Sequence, residues 1–362
     1  MAESVYIHIP FCRQKCCYCS FVSFSDLSQK DEYIKTLKKE IFDIYKGENL
    51  QTLYFGGGTP SLLSIDEIRE LTELFNFSDN TEVTLEINPE TVDEKYLTEL
   101  KKTRINRLSI GAQTFDDKIL EIIGRKHKSL NVFSTVKNAQ NVGFNNISLD
   151  FIYGLPEQSL ESFAANLKTA IELGVEHISL YGLKIDEGCY FHKNPPKNIA
   201  DEDLQADMYL KAIEILEKYG FEHYEISNFA RSGKYSRHNV NYWKCGEYYG
   251  FGVAAHGCIN GVRYSNPTNL SDYFENFLHP AQKHELSEQE KLEEKIFLGL
   301  RLKEGISLKE INKKFDIDFE KKYANILTKY LKTAHFRLEN GHLKFTPKGI
   351  LVSNYILADF IE

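Results

Sequence analysis

The chain has 362 residues, 42% of them hydrophobic and 27% charged, with a formal net charge of -8. That length can bury a large core and exceeds one typical domain. Charged residues interrupt every candidate membrane span, and the acidic balance disfavours capture of nucleic acid, which needs a basic surface.

The first predicted strand, Ser4–Ile9, runs into Pro10 and then three cysteines, Cys12, Cys16 and Cys19, spaced C-x3-C-x2-C. A cubane of four irons normally takes four thiolates, so three leave one iron open for another ligand. In this spacing the expected cofactors are a [4Fe-4S] cluster and S-adenosylmethionine (SAM) bound to its open iron. Zinc is the competing reading, but it takes four ligands, usually as two pairs, and Cys189, Cys245 and Cys258 are scattered singly. Cys17 sits beside Cys16, so its side chain must point another way; it reads as a neighbouring thiol that ligates nothing, with an alternate ligand as the competing reading. Seven cysteines with no secretory signal fit a reducing cytoplasm.

Short β-rich runs then alternate with amphipathic stretches, which predicts repeated βα units and a parallel sheet. Tyr33, Leu37, Ile41 and Tyr45 recur every four residues along one face of a helix over 31–45. Further strands are predicted at 52–55, 82–87, 107–110, 147–152 and 177–180. Six strands are too few for a closed eight-unit barrel, so the expected fold is α/β, an open partial (β/α)6 TIM-like barrel with its active residues at the strands' carboxyl ends.

Past the sixth strand the character changes. Pro195-Pro196 precedes a predicted helix at 204–218, and a Gly-, Tyr- and Asn-rich stretch over 228–269 holds the single Trp. From 286 onward Ser287 with Glu290 and Ser307 with Glu310 suit capping boxes, and Asn340-Gly341 centres a hairpin over 336–345. Helices followed by a hairpin and a last helix resemble a winged-helix-like domain, with no clear basic face. The expected divisions are therefore a core barrel with its trailing helix over 1–227, a small α+β middle region over 228–285 and a C-terminal domain over 286–362.

Several polar or glycine positions fall at predicted strand ends. Gly56-Gly57-Gly58-Thr59-Pro60 follows the second strand; it lacks the Gly-Lys-Ser/Thr ending of a P-loop, and its bland reading is a tight βα turn. Glu86, Gln113, Arg125 and Asp150 lie at or beyond strand ends, and singly each reads as a surface or capping residue. Shared placement around one barrel mouth favours a ligand that needs a cation, hydrogen-bond acceptors and an anion together.

The segments Tyr6 to Cys12, the cysteine triad, Gly56 to Pro60, Glu86-Ile87-Asn88-Pro89, Gly111 to Phe115 and Asp150 to Pro156 resemble the radical SAM family of oxygen-independent coproporphyrinogen III oxidases and their relatives. The resemblance covers essentially the whole chain. It implies a SAM pocket lined by Tyr6, Gly57, Gly58, Thr59, Glu86, Gln113, Arg125 and Asp150, with Tyr18 packing beside it. Within that family the decarboxylating oxidases carry a longer N-terminal segment and a fourth cysteine where this chain has Phe21. The haem chaperone branch, the HemW type, carries H-N-x-x-Y-W, which stands here as His238-Asn239-Val240-Asn241-Tyr242-Trp243. The sequence departs from common family usage at Cys17 and Ser20.

The branch implies a protein that binds haem and passes it to respiratory haem proteins, keeps the capacity for reductive SAM cleavage and lacks coproporphyrinogen oxidase activity. It also leaves room for peripheral membrane contact and for a homodimer in the cluster-loaded state. Imidazole is a common axial ligand of haem iron and aromatic rings pack on the macrocycle, so His238, Asn239, Tyr242 and Trp243 are haem candidates. The competing reading of His238 is a satisfied structural histidine. Cys245, Cys258 and His256 are weaker candidates, and His8 is expected to support the first strand or the SAM pocket.

Overall fold

Alternation along each strand, with aliphatic residues at every second position, sorts the main sheet into two faces. In the computed structural model, which describes residues 2–361, β1 (Ser4–Ile9), β2 (Asn49–Gly57), β3 (Asn76–Ile87), β4 (Arg107–Gln113), β5 (Ile147–Tyr153) and β6 (His177–Gly182) run parallel in sequence order. Val5, Ile7, Leu53, Phe55, Leu108, Ile110, Leu149 and Phe151 are fully buried beneath the helices. The intervening positions, among them Tyr6, Tyr54, Glu86, Ser109 and Asp150, line a polar lumen. The sheet is thus the expected open (β/α)6 barrel, with longer second and third strands than predicted.

Three further strands extend it. β7 (Glu222–Glu225) and β8 (Asn228–Ala230) add antiparallel beyond β6, and β9 (Tyr249–Phe251) adds parallel to β1, with Tyr249 opposite Val5. The segment that begins at 228 therefore contributes two strands to the barrel sheet. The predicted pattern lacks β9 because three residues flanked by Gly252 and a turn are too short for a periodic signal. Gly252 sits at a φ of +96°, where a Cβ would meet the Tyr33 hydroxyl at 2.2 Å.

Local signals fix the helices. Lys30–Ile44 buries Tyr33, Leu37 and Ile41 and places Asp31 and Glu32 in its first turn, where the helix dipole favours acids. Glu202–Lys218 is capped by Asp201. β10 (His256–Ile259), β11 (Val262–Ser265) and β12 (Gln282–Glu285) form a separate antiparallel sheet.

The C-terminal part has its own core, including Ile296, Ile311, Phe319, Phe336 and Phe360. Its helices pack on β13 (Ile306–Ser307), β14 (Phe336–Glu339) and β15 (His342–Phe345), ordered β13-β15-β14, in a winged-helix-like arrangement. Ser287 and Glu290 form the full capping box, whereas Ser307 accepts the Glu310 N–H without the reciprocal bond. Asn340 and Gly341 both take positive φ, as a tight two-residue hairpin turn requires.

Candidate functional site

The cysteine loop folds back over the carboxyl end of β1. The Cys12 N–H donates to Phe24 O at 3.0 Å, the Phe24 N–H donates to Pro10 O at 2.6 Å, and His8 Nε2 donates to Val22 O at 2.9 Å. With Nε2 protonated, His8 Nδ1 accepts from the Tyr6 hydroxyl at 3.0 Å, and burial lowers the imidazole to about 4. His8 thus braces the loop and carries no charge at neutral pH.

One hydrogen-bonded bracket links two of the three cysteines. The Thr59 hydroxyl donates to Cys12 Sγ at 3.4 Å, and Asn88 donates to Thr59 Oγ1 at 3.0 Å while accepting from Arg125 Nη1 at 3.0 Å. Arg125 also reaches Cys16 Sγ at 3.8 Å and Gly111 O at 2.9 Å. Burial opposes its charge, yet Tyr18, Cys16 and Glu90 together hold its pKa above the ordinary arginine value. Its Nε is buried without a hydrogen-bond partner among the described residues. Asn88 is the residue here that no single-residue reading picked out; its signal was its place immediately after β3 and before Pro89.

Glycines let this bracket close. A Cβ on Gly56 would stand 2.8 Å from the Tyr6 ring, on Gly57 2.6 Å from the His8 ring, on Gly58 2.8 Å from Phe11 O, and on Gly111 2.4 Å from Arg125 Nη2. Gln113 lies at a register shift between β4 and β5, with a φ of +63°. Glu86 accepts from the Tyr54 hydroxyl at 2.8 Å and the Gly57 N–H at 3.2 Å. Burial lifts its carboxyl to about 7 against those bonds, and the Asp150 carboxylate adds to the rise. Asp150 itself accepts from Ser109 and Ser148 at 2.8 and 2.9 Å.

The donor set fits an iron-sulfur cluster in its chemistry: three half-buried thiols, one guanidinium and one hydroxyl, framed by close backbone approaches. Among the described residues no three His, Cys, Asp or Glu side chains converge on one ion. Burial pushes the Cys12 and Cys19 thiols up, so metal binding there releases protons. Cys17 packs instead in an apolar cluster with Tyr18, Ile123, Leu155 and Cys189, with Gly124 against its sulfur. Ser20 donates to Asp186 at 3.4 Å, and Phe21 is 67% exposed.

The H-N-x-x-Y-W segment forms the helix Arg237–Trp243, at the opposite end of the barrel. Glu82 accepts the Arg237 and His238 N–H groups, and Ser236 caps Asn239. Thr52 Oγ1 donates to Ser4, so His238 Nδ1 donates to Thr52 at 2.8 Å, and Nε2 accepts from the Tyr242 hydroxyl at 2.7 Å. The ring stacks on Tyr54 at 5.1 Å, and burial, with the nearby Arg107 charge, lowers it to about 3. Both nitrogens of His238 are engaged in this arrangement. Tyr242 and Trp243 instead line a cavity of about 430 Å3 with Cys245 and Cys258. His256 is exposed on β10.

Comparison with known proteins agrees with this geometry. Residues 6–170 match the radical SAM superfamily model and residues 286–352 the HemN C-terminal domain. The chain is 35% identical to Heme chaperone HemW of Bacillus subtilis, covering 99% of each, and 36% identical to Heme chaperone HemW of Escherichia coli over 71% of this chain and 70% of that one. Its fold is similar to the solved coproporphyrinogen III oxidase HemN of Escherichia coli, a radical SAM enzyme, with a TM-score of 0.87, 23% identity and coverage of 99% of this chain and 90% of that one. A cysteine loop at the mouth of a six-stranded barrel, an intact H-N-x-x-Y-W helix beneath it and full-length likeness to curated relatives place the chain in the HemW haem chaperone family of the radical SAM superfamily.

Proposed function

We propose that the chain is a haem chaperone that carries a SAM-ligated [4Fe-4S] cluster at the carboxyl end of its barrel, binds haem apart from that centre, and delivers it to respiratory haem proteins. The observation that carries this reading is the intact His238–Trp243 motif, folded as a helix that turns Tyr242 and Trp243 into a cavity. Cys12, Cys16 and Cys19 would hold three irons. A bound cluster with SAM supplies one-electron, radical-forming chemistry.

The residues around it suit the parts of SAM. Arg125, with its buried unpartnered Nε, suits the carboxylate, and the carbonyls of Gly57 and Gly58 suit the amino group. Gln113 supplies a polar group at the end of β4, Asp150 one from the middle of β5, and Glu86 faces the lumen between Tyr54 and the Gly57 N–H. Tyr6, Tyr18 and Thr59 flank the site. Among the described residues no helix is long and apolar enough to cross a membrane, so delivery to a membrane-bound acceptor would use peripheral contact.

Anaerobic reconstitution of the full chain, followed by parallel haem titration and a coproporphyrinogen decarboxylation assay, tests the reading. Stoichiometric haem uptake without decarboxylation supports it; turnover of coproporphyrinogen replaces it with the oxidase.

A further inference from the structure

We propose that haem sits in the cavity beneath the barrel, with the Cys258 thiolate rather than the His238 imidazole as its axial ligand. The proposal rests on the chaperone reading and assigns its site. The cavity lies between the Arg237–Trp243 helix, the β10–β12 sheet and the C-terminal domain. Its volume of about 430 Å3 falls within the roughly 300–1,000 Å3 of small-molecule sites.

A porphyrin needs flat apolar walls, cations for its propionates and a donor for iron. Each is present. Tyr242 and Tyr248 meet edge to face at 4.6 Å, and Trp243 lines the wall with its outer face covered by Arg301 at 4.4 Å. The Trp243 Nε1–H is buried without a partner among the described residues, a donor left for an acidic ligand or water. Arg263, Lys291 and Lys314 line the cavity beside Glu247 and Glu294; Glu294 holds Arg263 at 2.8 Å, Glu288 holds Lys291 at 2.7 Å and Glu247 accepts the Asn260 N–H at 2.6 Å, so a propionate would take Lys314 or share these paired cations.

Cys258 is the better-placed sulfur. It stands on β10 opposite Arg263, and its backbone pairs with Tyr248 in both directions at 3.0 Å, so strand geometry fixes it. Cys245 occupies a turn with a φ of +59°, held through Asn241 and Gly246. His238 offers no free nitrogen, since Thr52 and Tyr242 engage both. As ferric haem enters, the Cys258 S–H gives its proton to water, the sulfur–iron bond forms, and iron stays ferric.

The location separates haem from the cluster. Residues 242–248 precede β9, which runs parallel to β1, so the cavity is at the strands' amino ends while the cysteine triad is beyond their carboxyl ends. Six residues of strand at ~3.3 Å each put about 20 Å of barrel between them. Haem in this seat is cargo, out of direct reach of chemistry at the mouth.

Hemin titration of the full chain, read by its Soret absorbance and electron paramagnetic resonance, tests the assignment. The expected result is a thiolate-ligated ferric signature in wild type and in His238→Ala, its loss with at least tenfold weaker binding in Cys258→Ser, and its retention in Cys245→Ser. Leu298→Trp, which fills the cavity and leaves the thiol in place, is expected to weaken binding by at least tenfold. A wild-type spectrum in Cys258→Ser, or loss of the thiolate signature in Cys245→Ser or His238→Ala alone, overturns the ligand. Unchanged hemin affinity in Leu298→Trp overturns the seat. Failure of wild type to bind hemin at all defeats the chaperone reading itself, a different outcome from binding with the wrong signature.

Discussion

The two ends of the barrel are built differently. At the carboxyl end, Cys12, Thr59, Asn88 and Gly111 come from the end of a strand or the turn just after it, Arg125 follows the helix Asp117–Ile122 that comes after β4, and close backbone approaches lock them together. At the amino end, the cavity is assembled from residues near 242–248, 258–263 and 286–314, of which only Tyr242 and Trp243 belong to a continuous motif. Barrels place chemistry at the carboxyl ends of strands because every strand delivers a loop there, whereas the amino ends serve mainly stability. Here an added helix, a small sheet and the C-terminal domain turn that structural end into a pocket. Between the two ends runs a column of rings, Tyr6, Tyr54, His238 and Tyr242, packed at 6.1, 5.1 and 4.8 Å.

If the ends are separate sites, substitutions at one should spare the other. The largest effect is expected at the mouth: Cys16→Ser loses the cluster, while Cys17→Ser, whose side chain packs with Leu155 and Cys189, keeps it, as iron and acid-labile sulfide content will show. Equal iron loss in both proteins defeats the ligand assignment. Gly57→Ala comes next, because its φ of +113° and the 2.6 Å approach to His8 leave no room for a methyl group. It is expected to cost about 2 kcal/mol or more in urea unfolding of the cluster-free chain. His238→Ala is expected to weaken hemin binding about tenfold through the displaced Tyr242 hydroxyl, with SAM binding by the reconstituted protein unchanged. An equal loss of both would mean that the ring column couples the two ends.

The same contrast decides what the sequence discloses. Strand alternation and the positions just after strands are local, so the six-stranded barrel and the place of Thr59 just after β2 follow from pattern, whereas Arg125 lies beyond the helix Asp117–Ile122 and meets Asn88 only through tertiary contact. His238 illustrates the limit. Its motif is contiguous and recognisable, but whether its nitrogens face a ligand or Thr52 and Tyr242 depends on a contact 186 residues away in the chain. Cys258 carries no local signal at all: only the pairing of β10 with β11 puts Arg263 opposite it, and only the C-terminal domain closes the space above it. β9 was invisible for a related reason, since three residues gain strand character only from β1 alongside.

The smallest expected effect separates the ends by pH. Burial raises the folded Glu86 carboxyl from 4.5 to about 7, so between those values the folded chain keeps a proton that the unfolded chain has lost, and stability falls as pH rises. His238 behaves in the opposite sense. Its folded value of about 3 lies below the ordinary 6.5, so as pH drops through that interval the unfolded chain gains a proton that the folded one refuses, and stability falls with acid. Glu86→Gln should therefore flatten the decline between pH 4.5 and 7 in the cluster-free chain by about 1 kcal/mol, a figure reduced because Glu86 is only partly buried. Glu40, raised to about 7 by burial among Tyr273, Gly252 and Asn266, leaves a residual slope in that variant. For His238→Ala the stability deficit should shrink as pH falls from 6.5 toward 3, because wild type alone bears the cost of keeping that imidazole neutral. A deficit constant across this range would show that the ring titrates freely and is not locked between Thr52 and Tyr242, which would return His238 to the haem candidates.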